Sequence, residues 1–166
     1  IGSVLIPELL ADDRVNTVRV LDSLDSGSPR ALIGTLGADG IRFRRGDVRK
    51  YGDVESATRG VETVIHLAAI TGASTTHDRR QETFDVNYDG TENVLRAAEK
   101  LDVKRVVFAS SCNLYGRATS TDIDETVDPD PINPYAESKL EAEELVREYC
   151  RSQDMTGTSL RMSTVY

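Results

Sequence analysis

Two side chains in the sequence are spaced to share a proton. Tyr135 and Lys139 lie four positions apart in the run Tyr-Ala-Glu-Ser-Lys. On a helix that spacing puts them one turn apart on a single face. A free phenol titrates near pH 10, too high for a base at neutrality. A neighbouring ammonium favours the phenolate and is expected to lower that value. A serine upstream, Ser111, could position a substrate oxygen beside the phenol. Such a set can exchange a proton with a sugar hydroxyl while hydride moves to or from a nicotinamide. The Tyr-x-x-x-Lys spacing alone is weak, because an exposed helix face with a solvated lysine produces it as readily.

Placement strengthens the reading. Apolar runs at residues 16–22, 41–45, 61–69, 103–110 and 158–162 read as strands. Their near-continuous apolar character suits a parallel sheet buried on both faces. Between them, residues 3–10, 53–58, 81–101 and 134–152 read as helices, the last with Asn133 as N-cap and Pro134 at the first helical position. Pro7 fits a helix only near its start. The alternation predicts an α/β fold, a doubly wound, Rossmann-like parallel sheet. Ser110 and Ser111 end one strand, and the acidic stretch 119–134 leads from there to the helix with Tyr135 and Lys139. The ends of strands are where such sheets bind ligands. The chain opens on a helix and closes in a strand, so the sheet is expected to be incomplete at both ends. Residues 1–166 then read as one partial dinucleotide-binding domain, with a preceding strand and a C-terminal substrate-binding portion outside it.

Composition narrows the partners. The 166 residues carry a net charge of −8, which disfavours nucleic acid. No apolar run is long enough for a membrane span, so no membrane partner is expected. A phosphate-bearing ligand must then be held locally by N–H groups and helix dipoles. The chain has only four lysines, and Asp and Arg are plentiful, a bias shared by high-salt cytoplasm and by GC-rich genomes. Two cysteines make no disulfide framework, and the reading is cytoplasmic. His66 and His77 are too few and too poorly partnered for a zinc site, so no metal is expected.

Three runs in this order, Asn87–Thr91 (NYDGT), Ala109–Gly116 (ASSCNLYG) and Asn133–Lys139 (NPYAESK), resemble the extended short-chain dehydrogenase/reductases, the NAD-dependent epimerase/dehydratase family. The resemblance runs from Ile1 to Tyr166. It implies NAD as cofactor and Ser111, Tyr135 and Lys139 as a catalytic triad. Ser111 is chosen over Ser110 because it stands four residues before Tyr115. Gly2, beside Ile1, matches the third glycine of the family's pyrophosphate loop; alone, it would read as ordinary helix–strand packing. Asp22, at the end of a strand, would bind the adenosine ribose and repel a 2′-phosphate, with Ser23 and Leu24 continuing around the adenosine. Asp47 and Val48 would meet the adenine, although a strand-end turn also explains the aspartate. Leu67, Ala68 and Ala69 would pass the pyrophosphate and nicotinamide ribose. Asn87 would brace the sheet near the cofactor. Ser110, Tyr135, Lys139 and Ser163 would lie at the nicotinamide end. His66 and Cys150 read as core, and Glu141, Glu143 and Glu144 as a solvated face.

The span from Ser111 to Tyr135, with its acidic loop and Asn-Pro-Tyr entry, is similar to UDP-glucose 4-epimerases. The resemblance implies a nucleotide-sugar substrate, a UDP-sugar, epimerised through a 4-keto intermediate. Cys112 and Asn113 offer no carboxylate for sugar dehydration. Cys112 reads either as a small buried residue or as a cysteine assisting epimerisation, as in GDP-fucose synthase. A threonine, Thr164, stands where many epimerases carry a substrate-contacting asparagine. A sugar or steroid-type dehydrogenase would share all these residues, and a noncatalytic NAD sensor would not need the tyrosine. The family often dimerises through two long helices, here 81–101 and 134–152, so a homodimer is expected.

Overall fold

A computed structural model describes residues 1–25, 38–117, 123–152 and 154–163. Helix α1 (Gly2–Leu10) leads to strand β1 (Val18–Asp22). Pro7 sits inside α1, and its own carbonyl still accepts from Ala11 N–H at 3.0 Å. Strand β2 (Ile41–Arg45) follows, then helix α2 (Tyr51–Thr58) and strand β3 (Thr63–His66). Two short helices, α3 (Ala73–Thr76) and α4 (Arg80–Phe84), precede a π turn (Asp85–Asp89) and helix α5 (Gly90–Lys100). Strand β4 (Arg105–Ser111) runs into a 3₁₀ turn (Cys112–Tyr115). Helix α6 (Pro134–Ser152) and strand β5 (Thr156–Met162) complete the order.

All strand pairs are parallel, with Rossmann-like helices between them. The described strands form two sheets, β1–β2 and β3–β4–β5, rather than the single sheet expected. Side chains join what backbone bonds do not. Leu21 of β1, Val48 and Val64 of β3 pack on Val54 of α2 and on Val94 and Ala97 of α5. The larger core lies between β4, α5 and α6, around Leu95, Ala98, Val106, Phe108, Ala142 and Val146. Burial of each large side chain among them stabilises the fold by about 1.5–3 kcal/mol relative to exposure.

The region expected as one helix, 81–101, is divided by the π turn. The wider turn rotates the chain so that Asn87 is fully buried, as a regular amphipathic pattern would not predict. Its side chain is satisfied there. Nδ2 donates to Ile70 O and to Ser138 Oγ, both at 3.0 Å, and Oδ1 accepts from Ile70 N–H at 2.8 Å. Asn87 thereby ties the segment after β3 to α6. Helix α6 starts as its sequence suggests: Asn133 Oδ1 accepts from Ala136 N–H at 2.9 Å.

Strand β5 reaches α6 through a glycine. A Cβ on Gly157 would overlap Cys150 Sγ and lie 3.0 Å from Val146 Cγ1. The Gly157→Ala variant of the full-length protein should therefore lose about 1–3 kcal/mol in thermal or denaturant unfolding. Adding Cys150→Ala, which removes the nearest atom, should restore part of it; no restoration would show that Cys150 is not the obstacle.

Candidate active site

The end of β4 supplies the centre. Ser111 has extended backbone and caps the 3₁₀ turn, its Oγ accepting from Asn113 N–H at 3.2 Å. That bond leaves the hydroxyl proton free, and the hydroxyl lies close enough to the Tyr135 phenol to favour its ionisation. Tyr135 is 8% exposed and Ser111 6%. The turn ends at Gly116, whose φ of 56° lies in the left-handed region and whose missing Cβ leaves room for the Asp130 carbonyl. Asp130 N–H in turn donates to Leu114 O at 2.8 Å. The segment that returns to α6 is thus pinned beside Ser111.

Lys139 is only 2% exposed. Its Nζ donates to Ala109 O at 2.8 Å and stands 4.6 Å from the centre of the Phe108 ring. Burial lowers its pKa to about 8, and the negative charge of Glu143 resists the fall. Tyr135 departs from expectation. Burial pushes its phenol above the usual value, the neighbouring Ser111 hydroxyl opposes this, and Cys112 adds to it. The ammonium that was expected to lower the phenol is directed at the Ala109 carbonyl and the Phe108 ring instead.

The family profile for the NAD dependent epimerase/dehydratase family matches residues 1–166. The chain belongs to that family. It is 33% identical over 147 residues to a UDP-glucose 4-epimerase from Halalkalibacterium halodurans, covering 87% of this chain and 42% of that one. Among solved structures, it superposes on the dTDP-glucose 4,6-dehydratase DesIV from Streptomyces venezuelae with a TM-score of 0.91 at 30% identity, covering 96% of this chain and 51% of that one. The UDP-glucose 4-epimerase of Thermus thermophilus, solved with NAD, matches with a TM-score of 0.85 at 33% identity, covering 96% and 50%. The chain spans about half or less of the length of these proteins.

Several residues fit the dinucleotide that gives the family its name. The N-terminus of α1 has no side-chain cap, so its N–H groups can meet an anion. A Cβ on Gly2 would touch only Leu67 Cδ1, at 3.8 Å, so protein packing is not what calls for glycine there. The same contact sets Gly2 beside the half-buried Leu67–Ala68–Ala69 segment after β3. Ser110 Oγ is buried and has no hydrogen-bond partner, the one such side-chain atom among the described residues. A buried hydroxyl without a partner is costly unless a ligand completes it.

The residues expected at the adenosine end are more heavily engaged with the protein itself. Asp22 is exposed, and its Oδ1 accepts from Leu24 N–H at 2.8 Å. Leu24 has a φ of 61°, and Ser23 O accepts from Arg45 Nε at 3.1 Å. Asp47 is clasped by Arg49, with Nε 2.9 Å and Nη2 2.6 Å from Oδ2, which holds its carboxyl below the usual range. An adenine amino group would share that carboxylate with Arg49. Val48 packs towards Gly90, and its carbonyl accepts from Asn93 Nδ2 at 3.0 Å. Ile1 and Ser163 are exposed, and Thr164 lies outside the described residues. The described residues contain no cluster of His, Cys, Asp or Glu able to hold a metal.

Three residues of this region escape sequence reasoning. Glu143, read as solvated with Glu141 and Glu144, is 4% exposed, whereas the other two are exposed. It pairs with Arg161, which also reaches Tyr115. A signal existed: Tyr135, Lys139 and Glu143 recur every four residues, the spacing of one helix face.

His66 is a core residue. Thr91 Oγ1 gives its only proton to Asn87 O at 2.6 Å, so it must accept from His66 Nε2–H at 3.1 Å. Burial, aided by the Lys139 charge, lowers the His66 pKa from 6.5 to about 3. The unfolded chain therefore binds this proton more readily than the folded one. The resulting stability is fully present above about pH 6.5 and is lost as pH falls towards 3. The His66→Gln variant should show a flatter melting temperature between those values than the parent protein. Parallel curves would mean that His66 does not contribute to acid sensitivity.

Proposed function

We propose that the protein containing this chain is an NAD-dependent nucleotide-sugar epimerase of the UDP-glucose 4-epimerase kind. The observation that carries this reading is the burial of Ser111, at the end of β4, together with Tyr135 and, one helical turn along α6, the ammonium of Lys139. The resemblance to 4-epimerases in sequence and structure supports it. Similarity to a dehydratase does not decide the reaction, since one fold carries several chemistries. Dehydration needs an acid or base beside the sugar carbonyl, and the residues after Ser111 are Cys112 and Asn113.

The residues divide the work. Tyr135 takes the proton of the sugar C4 hydroxyl and returns it after the ring has turned over. Ser111 donates to the substrate oxygen and keeps it within reach of the phenol. Lys139, with Ser110 beside it on β4, would hold the cofactor's nicotinamide ribose, and α1 its pyrophosphate. NAD, when bound, supplies the acceptor that takes up hydride and gives it back, along with a positive ring charge that favours the Tyr135 phenolate. Hydride given back to the opposite face would invert C4 without net oxidation.

The two cysteines are free, in keeping with a cytoplasmic protein. No helix among the described residues is long and apolar enough to cross a membrane. The faces of α4, α5 and α6 are the proposed homodimer surface. An open groove of about 500 Å³ lined by Arg80, Gln81, Phe84, Tyr88 and Asp89 lies there. Light scattering of the full-length protein should give a dimer; a monomer at working concentration would reject that surface.

The full-length protein, incubated with UDP-glucose and substoichiometric NAD, should form UDP-galactose without NADH accumulation. Tyr135→Phe should cut turnover by about 10²–10⁴-fold while NAD binding persists. NADH accumulating in step with sugar consumption would identify a net dehydrogenase instead.

A further inference from the structure

Arg161, on β5, lies between two elements of the site. Its Nη2 donates to Glu143 Oε2 at 2.9 Å, and its Nε lies 3.1 and 3.2 Å from the two carboxylate oxygens. Its Nη1 donates to the Tyr115 hydroxyl at 3.0 Å, and the guanidinium carbon stands 5.2 Å from the Tyr115 ring centre. The Arg161 and Glu143 side chains are 13% and 4% exposed. A planar guanidinium presents donors in a fixed fork, so these contacts define a direction as well as a distance.

The partners matter because of what they carry. Glu143 is one turn beyond Lys139 and two beyond Tyr135 on α6. Tyr115 closes the 3₁₀ turn that Ser111 opens. One guanidinium therefore bridges the helix bearing Tyr135 and Lys139 to the turn bearing Ser111. A surface ion pair would contribute little to such rigidity, but a shielded, bidentate one constrains both partners.

We propose that Glu143, Arg161 and Tyr115 are positioning residues that set Tyr135 and Lys139 against Ser111, with Glu143 also supplying the negative charge that Lys139 senses. The proposal rests on the catalytic reading of Ser111, Tyr135 and Lys139. Lys139 has Tyr135 one turn before it and Glu143 one turn after it on its own helix, neutral His66 on β3, and the Ala109 carbonyl and Phe108 ring on β4. Arg161 on β5 acts on it through Glu143. Of these groups, Glu143 is the one whose charge favours protonated Lys139.

Two variants of the full-length enzyme separate placement from charge. Tyr115→Phe removes one hydroxyl and no charge. It should lower kcat about tenfold, leave KM and NAD affinity near their starting values, and leave the pH profile in place. Glu143→Gln keeps the size and removes the charge. Lys139 should then lose its proton more readily, so the alkaline limb of the kcat profile should move down by about one pH unit. Should Glu143→Gln alone fail to fold with Arg161 left unpaired, the double variant Glu143→Gln/Arg161→Met removes both charges and should show a smaller displacement in the same direction. Normal kcat in Tyr115→Phe, or an alkaline limb unmoved in the folded Glu143 variant, would overturn the proposal. Tyr135→Phe serves as control: if it stays active, the catalytic reading itself fails; if it is dead while the positioning variants behave as wild type, only this inference fails.

Discussion

An ammonium ion buried among apolar side chains is tolerable only when neighbours replace the water it has lost. Lys139 meets this constraint, and the surrounding site is organised around it. The Ala109 carbonyl accepts its proton, the Phe108 ring faces its charge, and Glu143 opposes it one turn along α6. Each neighbour belongs to an element whose place is set by other packing. Phe108 is fully buried in the main core, and Ala109 follows it on β4. Glu143 is itself a buried charge and needs Arg161. The chain of compensation therefore runs from α6 to β4 and on to β5 and the 3₁₀ turn.

Strand β4 is the shared reference in this arrangement. It pairs with β3 on one side and with β5 on the other, and its last residue is Ser111. Parallel pairing over seven residues, from Arg105↔Thr156 to Ser111↔Met162, carries Arg161 to the level of Ser110. On the other flank, Phe108↔His66 brings the end of β3 level with the Lys139 ring contact. Asn87 then fastens the segment after β3 to α6 through Ile70 and Ser138. Side chains distant in the sequence meet because parallel register leaves the strand ends at one edge, as doubly wound sheets require.

Much of this was legible beforehand. Strand–helix alternation predicted the fold class, and the apolar runs located the strands, though β3 is shorter than its apolar run. Asn133 and Pro134 marked the start of α6. What escaped depended on contacts between distant residues. The charge of Glu143 argued for solvent, and its burial is intelligible only with Arg161, eighteen residues later, folded against it. The π turn escaped because Asn87 is polar, and an inward polar residue breaks the apolar pattern by which a helix is traced. The bonds from Ile70 and Ser138 that make it tolerable come from elsewhere. The direction of the Tyr135 shift escaped for a related reason. Helical spacing places an ammonium one turn away but does not say where it points.

That last difference bears on how the site works. In the protein alone, burial raises the Tyr135 phenol above its usual value, and Lys139 directs its charge at a carbonyl and a ring. The Ser111 hydroxyl favours the phenolate but does not outweigh desolvation. A phenol in this state is a poor base. Positive charge placed beside it would lower its pKa. The Tyr135 phenol would thus be a better base with positive charge beside it than in the protein alone. Burial, the first cause of the raised phenol, thus works against the phenolate that the proposed role of Tyr135 would need.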